Sequence, residues 1–298
     1  MFRLVAHPEN TYAPVGCCIY CNSAEGLSDE HVVIPFGLGG RWVLPKASCA
    51  KCAKQTGAFE GTCLRTMLGP LRMYVDLPTR RRKEHPRKLP LKVKLSPGDE
   101  WSFIDVDQAI YPFLVLFPLL SIPDELSGCA TSGERGAAVR HLWVRAASFR
   151  DGIIPHLEAL ATELNVAAIE PTATVRAPEF FRMLAKIAHA FAVAEMGIVS
   201  FSPFLTSMIC DGDVSNSVQS VGGLRSTEPA TVAIHELSFS SHARCPDIVA
   251  VRIRLLAALE TPTYYVAVGK GPRLKDLLGR PRAGTSQRSE HVNLSAFP

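Results

Sequence analysis

The chain has 298 residues, 47% of them hydrophobic and 20% charged, with a formal net charge of +4 and an isoelectric point near 8.6. That composition excludes a wholly disordered chain, which would lack the apolar surface needed to offset the entropy of ordering, and so small a positive excess does not by itself name a partner. The length exceeds the usual size of one domain, so an α+β protein of two folded units is expected.

The opening residues, MFRLVAHPENTYAPVG, show no apolar segment followed by a cleavage site. The most apolar stretch, residues 109–122, is short and interrupted by Pro112 and Pro118, so it reads as core strand and loop rather than a membrane span. A cytoplasmic protein is expected. Nine cysteines in such a chain point to metal binding over a disulfide framework, because the cytosol keeps thiols reduced.

Residues 1–70 form the first expected unit. Cys18-Ile-Tyr-Cys21 and Cys49-Ala-Lys-Cys52 are two CxxC pairs. Each pair can place two thiolates on one tetrahedral Zn²⁺, with a structural role. Between them lie Asp29-Glu30-His31-Val-Val-Ile-Pro35 and Gly37-Leu38-Gly39-Gly40, whose glycines read as turn residues rather than a phosphate cradle, since no Lys-Ser/Thr follows. A helix-like run covers residues 50–67.

This order of features, CxxC, an acid plus His, an apolar pair and Pro, then GG and a second CxxC, resembles the zinc-containing branch of the HNH, or ββα-metal, nucleases. The match spans roughly residues 18–60. The resemblance implies an N-terminal module of two strands and a helix that holds one catalytic divalent ion. It implies His31 as the general base for water, with Glu30 beside it, and cysteines that fix the scaffold. Two positions depart from the family pattern: no Asn occurs at residues 44–46, and Ala53 follows the last CxxC where a His or Asn ligand is expected. Glu60, which shares a helix face with Thr56 and Ala53, is a candidate replacement; with Glu30 it would suit Mg²⁺ or Mn²⁺. The implied activity is metal-dependent hydrolysis of DNA. The alternatives are a catalytically inactive zinc-knuckle module that binds DNA or RNA, and a zinc-stabilised protein-interaction domain.

Residues 71–95 read as a basic connector. In TRRRKEHPRKLPLKVK, residues 79–94, eight of sixteen positions are Lys or Arg. Arg80, Arg81, Arg82, Lys83, Arg87 and Lys88 are the candidate phosphate contacts. A mixed α+β domain of unassigned role is expected over residues 96–270. Strands are expected near residues 91–95, 102–106 and 141–146, and a late antiparallel sheet over 230–239, 248–258 and 264–268. The clearest helix is 178–196: Pro178 suits its first turn, Phe181, Leu184, Ala185, Ala188, Phe191 and Ala192 recur at helical spacing, and Gly197 ends it. Its Lys186-Ile-Ala-His189 segment resembles a helix of longer members of the same nuclease group, and core and surface packing explain those residues equally well. Cys63, Cys129, Cys210 and Cys245 read as isolated core thiols and Cys17 as a non-ligand. After Gly271 the chain is basic and polar, and a poorly ordered tail over 271–298 is expected.

Overall fold

The computed structural model describes residues 9–34, 38–69, 72, 87–127, 141–146, 153–215, 217–242, 244–273 and 295–296. Strands β1 (Asn10–Thr11), β2 (Leu27–His31) and β3 (Trp42–Cys49) form the sheet β1-β3-β2, and helix α1 (Ala50–Thr62) follows β3 without a gap. Strands β2 and β3 are antiparallel, with Leu27 opposite Cys49 and His31 opposite Val43. A shift in register between Ser28 and Glu30 bends the end of β2. The helix expected over residues 50–67 is α-helical to Thr62 and then widens into a π turn at Cys63–Met67.

Strands β4 (Lys88–Lys94) and β5 (Ser102–Asp107) pair antiparallel. β6 (Leu114–Leu119) pairs with β7 (His141–Ala146), and helix α2 (Ile153–Glu163) leads into β8 (Ala168–Glu170), which joins β4 on its other edge. The connector assigned to residues 71–95 is therefore a strand over residues 88–94, and a central one. Leu89, Leu91 and Val93 alternate inward and pack with Val106, Phe113 and Leu160 in a small core of their own. Period-2 burial outweighs the charge of the intervening lysines.

The central element is helix α3 (Ala177–Met196), which carries Pro at its first turn and ends at Gly197 with φ +86°. From Phe180 to Val193 every residue except Arg182 is buried, the pattern of a helix covered on all sides. One side of it is covered by the antiparallel sheet β10 (Val221–Thr227), β13 (Pro262–Lys270), β12 (Ile248–Leu255) and β11 (His235–Ser241), in that order; β9 (Ser202–Pro203) pairs with β13 beyond it. Another side meets α1, and the short helix α4 (Thr206–Asp211) packs against both helices.

The N-terminal module and the α3 sheet layer share one core. Trp42 of β3 stacks on Phe191 of α3 at 5.8 Å between ring centroids, and Phe191 lies 5.1 Å from Phe239 of β11. Val33, Leu44 and Phe59 belong to the same buried cluster as Leu184, Ile187 and Val251. Division at residue 70 thus cuts through a continuous apolar interior. No helix among the described residues is long and apolar enough to cross a membrane.

Candidate metal centre and the buried cation beside it

The first CxxC pair sits on a tight turn. The Asn22 amide donates to the Cys18 carbonyl at 2.9 Å and the Cys18 amide to the Ser23 carbonyl at 2.8 Å, with Asn22 itself at φ +61°. Asparagine is one of the few residues that adopts this left-handed conformation readily. The turn is tied to β3 where the Ile19 amide donates to the Ala47 carbonyl at 2.8 Å. The second pair straddles the start of α1: Cys49 is the last residue of β3 and the N-cap of the helix, and Cys52 lies in its first turn.

The four sulfurs of Cys18, Cys21, Cys49 and Cys52 lie within 4.8 Å of one another. Cys21 and Cys49 Sγ atoms stand 3.7 Å apart, close to the edge of about 3.8 Å that a tetrahedron with Zn–S bonds near 2.3 Å requires. The electrostatics suit a cation unequally. The backbone N–H of Cys52 aimed at Cys49 outweighs burial and brings the Cys49 thiol down to about 7, as expected for a thiolate at a helix N-terminus. Burial pushes Cys18 and Cys52 up, a penalty that a bound divalent cation would reverse. The four cysteines expected from the sequence as metal ligands are brought together, and they can hold a metal ion such as Zn²⁺.

Glu30 and Glu60, assigned from the sequence to a second, catalytic ion, converge on a different cation. The Lys186 Nζ lies 2.8 Å from Glu30 Oε1 and 3.0 Å from Glu60 Oε1, and it also donates to the His31 carbonyl. The three side chains are 1%, 8% and 12% exposed for Lys186, Glu30 and Glu60. Burial works against the ammonium, but the two carboxylates outweigh it and hold Lys186 above its ordinary value. Glu60 is raised, by burial first, with Lys186 opposing and Glu30 adding. The Thr56 hydroxyl, on the same helix face, donates to the Ala53 carbonyl at 3.2 Å.

His31 ends β2 half-buried, and its main chain is held on both sides: its N–H donates to Glu30 Oε1 at 3.0 Å and its carbonyl accepts from Lys186. Two buried histidines hold other carbonyls of the module. His189, one turn beyond Lys186 on α3, lies 2.7 Å through Nε2 from the Ile19 carbonyl inside the first CxxC turn, and burial drops its pKa to about 4. His235 Nε2 lies 2.7 Å from the Leu38 carbonyl, while its Nδ1 accepts from the Leu256 amide at 3.1 Å. That acceptor role fixes the neutral tautomer that donates from Nε2. The turn glycines behave as expected: Gly39 has φ +73°, and a Cβ on Gly40 would sit 2.0 Å from the Val33 carbonyl oxygen. Gly37 lies outside the described residues, as do Cys129 and the tail beyond 273 apart from 295–296.

Arg80, Arg81, Arg82 and Lys83 also lie outside the described residues. Arg87 and Lys88 are exposed at the start of β4, where Lys88 pairs in register with Asp107, so the positive charge there faces an acid. Sequence reasoning left Lys186 and His189 unassigned and placed Cys210 among isolated thiols. The Cys210 Sγ stands 3.8 Å from that of Cys52, so that reading is corrected. The signal for Lys186 and His189 was their i, i+3 spacing in the otherwise apolar stretch 183–194 of the helix; Cys210 carried none. The chain matches no protein-family model, no curated protein and no solved structure.

Proposed function

We propose that the chain acts on nucleic acid through its N-terminal zinc-organised ββα module, and that in this module the buried Lys186 ammonium stands in for the catalytic divalent ion, so that the module binds without metal-dependent cleavage. The observation that carries this reading is the pair of contacts from Lys186 to Glu30 and Glu60 at 2.8 and 3.0 Å. A divalent ion held by both carboxylates at the 2.0–2.1 Å typical of Mg²⁺ would have to displace a fully buried ammonium that is ion-paired with each of them. Ala53 offers no third ligand. The order β2, β3, α1, with cysteines at the turn before β2 and at the β3–α1 junction, supports the ββα resemblance.

A second reading, phosphodiester hydrolysis with His31 as general base and Glu30 and Glu60 on Mg²⁺ or Mn²⁺, is favoured by one observation. His31 is the half-exposed residue of this cluster, and its main chain is pinned by both Glu30 and Lys186, the rigidity that a positioned base requires.

The experiment is binding and nicking of supercoiled plasmid by zinc-loaded protein with Mg²⁺, with Mn²⁺ and without added ion. Salt-sensitive binding with no ion-dependent nicking is the expected result. Ion-dependent nicking that is lost in His31→Ala would establish the hydrolase instead, and absence of any nucleic-acid binding would overturn both.

A further inference from the structure

A fifth sulfur lies against the metal centre. Cys210 is carried by α4, and its Sγ is 3.8 Å from Cys52 Sγ, the edge length of a zinc–thiolate tetrahedron, about 3.8 Å. The approach is built rather than incidental. The Cys210 carbonyl accepts from Gln55 Nε2 at 2.8 Å, and Gln55 is one turn beyond Cys52 on α1. The neighbouring Ile209 carbonyl accepts from Arg182 Nη2 at 2.6 Å, and the Arg182 guanidinium in turn lies 4.5 Å above the Phe59 ring of α1. Gly212 ends α4 in the left-handed region at φ +76°, which turns the chain away two residues after the cysteine. Among the four ligands, Cys21 alone is exposed, while Cys18, Cys49 and Cys52 are buried.

We propose that Cys210 is a reserve ligand of the zinc site, placed to take the tetrahedral corner of the exposed Cys21 when that sulfur is alkylated by an electrophile such as an alkyl halide, whose leaving group departs as halide. The exchange leaves Cys18, Cys49 and Cys52 in place. One Zn–S bond to Cys21 breaks and one to Cys210 forms, the Cys210 thiol proton passing to solvent. The coordination stays at four thiolates and the module keeps its staple. The inference rests on the four-cysteine cluster taking zinc and is independent of whether the module meets nucleic acid.

The test uses the full chain loaded with Co²⁺, whose thiolate charge-transfer absorbance counts sulfur ligands. Wild type, Cys210→Ser and Cys21→Ser should all give the four-thiolate intensity, and the Cys21→Ser/Cys210→Ser double variant about three quarters of it. A three-thiolate intensity in Cys21→Ser alone overturns the proposal. Because that variant could fail to fold, a second measurement uses native cysteines: zinc-loaded wild type and Cys210→Ser are treated with one equivalent of iodoacetamide, and released zinc is read with a chromogenic chelator. Wild type should retain its zinc after Cys21 is alkylated while Cys210→Ser releases it; equal release from both overturns the proposal. A wild-type chain that takes up no cobalt removes the metal site itself.

Discussion

Lys186 Nζ stands 2.8 Å from Glu30 Oε1 with both side chains more than nine-tenths shielded from water, and this pair joins the buried helix α3 to the end of strand β2. Two carboxylates facing one ammonium leave one negative charge in excess unless a proton is retained, which accords with the raised pKa of Glu60. Removing the cation strands those carboxylates in a low-dielectric interior. Lys186→Met is therefore expected to destabilise the fold by about 3–5 kcal/mol, read as a fall in the urea midpoint. The triple variant Lys186→Met, Glu30→Gln, Glu60→Gln should recover most of that loss. If Lys186→Met alone left the midpoint unchanged, the ion pairs would not exist in solution.

His189 supplies a pH dependence. Its native pKa is about 4, against 6.5 for the free side chain, so between these values the unfolded chain binds a proton that the native one does not. Stability therefore rises with pH across that window and falls on acidification from about 6.5 towards 4. At pH 5 the contribution is about 2 kcal/mol. His189→Gln, which keeps a donor for the Ile19 carbonyl, should lack this component. The measurement is the wild-type minus variant difference in unfolding free energy at pH 7.5 and pH 5, which cancels the acid sensitivity of the metal site common to both. A difference independent of pH would show that His189 titrates normally.

Much of the fold was legible in sequence because its elements obey local rules. Helix α3 announces both ends, by Pro178 and Gly197, and its interior by apolar spacing; β12 reads as a strand from its partial period-2 alternation, and β13 from the apolar run 264–268 that follows it. Strand β10 was missed because Gly222 and Gly223 weaken any strand pattern. The structure gives the reason: a Cβ on Gly222 would lie 2.2 Å from the Ser121 carbonyl oxygen, so the glycine is there for close approach. At the site, the cysteine spacing was local and could be read. The partnership of Lys186 with the β2 terminus spans 155 residues, and that of Cys210 with Cys52 spans 158. Such pairings arise only when α3 and α4 close over α1, and nothing in the flanking sequence marks them.

The GG turn gives a stereochemical prediction. Gly40 carries an amide that donates to the Ile34 carbonyl at 3.2 Å, and a methyl at its Cα would fall 2.0 Å from the Val33 carbonyl oxygen. The nearest atoms are the Val33 backbone and its Cβ, so no flexible side-chain end is there to yield. Gly40→Ala should cost about 1–3 kcal/mol, whereas Gly57→Ala, on α1 with nothing within 4 Å of the added carbon, should be neutral or stabilise by several tenths of a kcal/mol through helix propensity. Thermal unfolding of the two variants side by side decides this, and equal midpoints would show that the turn is not packed as described.

Metal removal tests how far the module and the rest of the fold stand or fall together. Three of the four metal-site cysteines are buried members of the same apolar cluster as Leu184, Phe191 and Val251, and His189 reaches into the CxxC turn from α3. Without a cation, thiols that burial pushes towards the neutral form lose the charge attraction that holds the turn against the start of α1. Extraction of zinc by a strong chelator should therefore lower the melting temperature of the whole cooperative unit. It should also alter the near-ultraviolet dichroism of Trp42, whose ring stacks on Phe191 at the boundary between module and helix. Restoring zinc should reverse both changes. If instead only a local signal changed while the main transition kept its midpoint, the N-terminal module would be an independent unit and the shared core would contribute little to its stability.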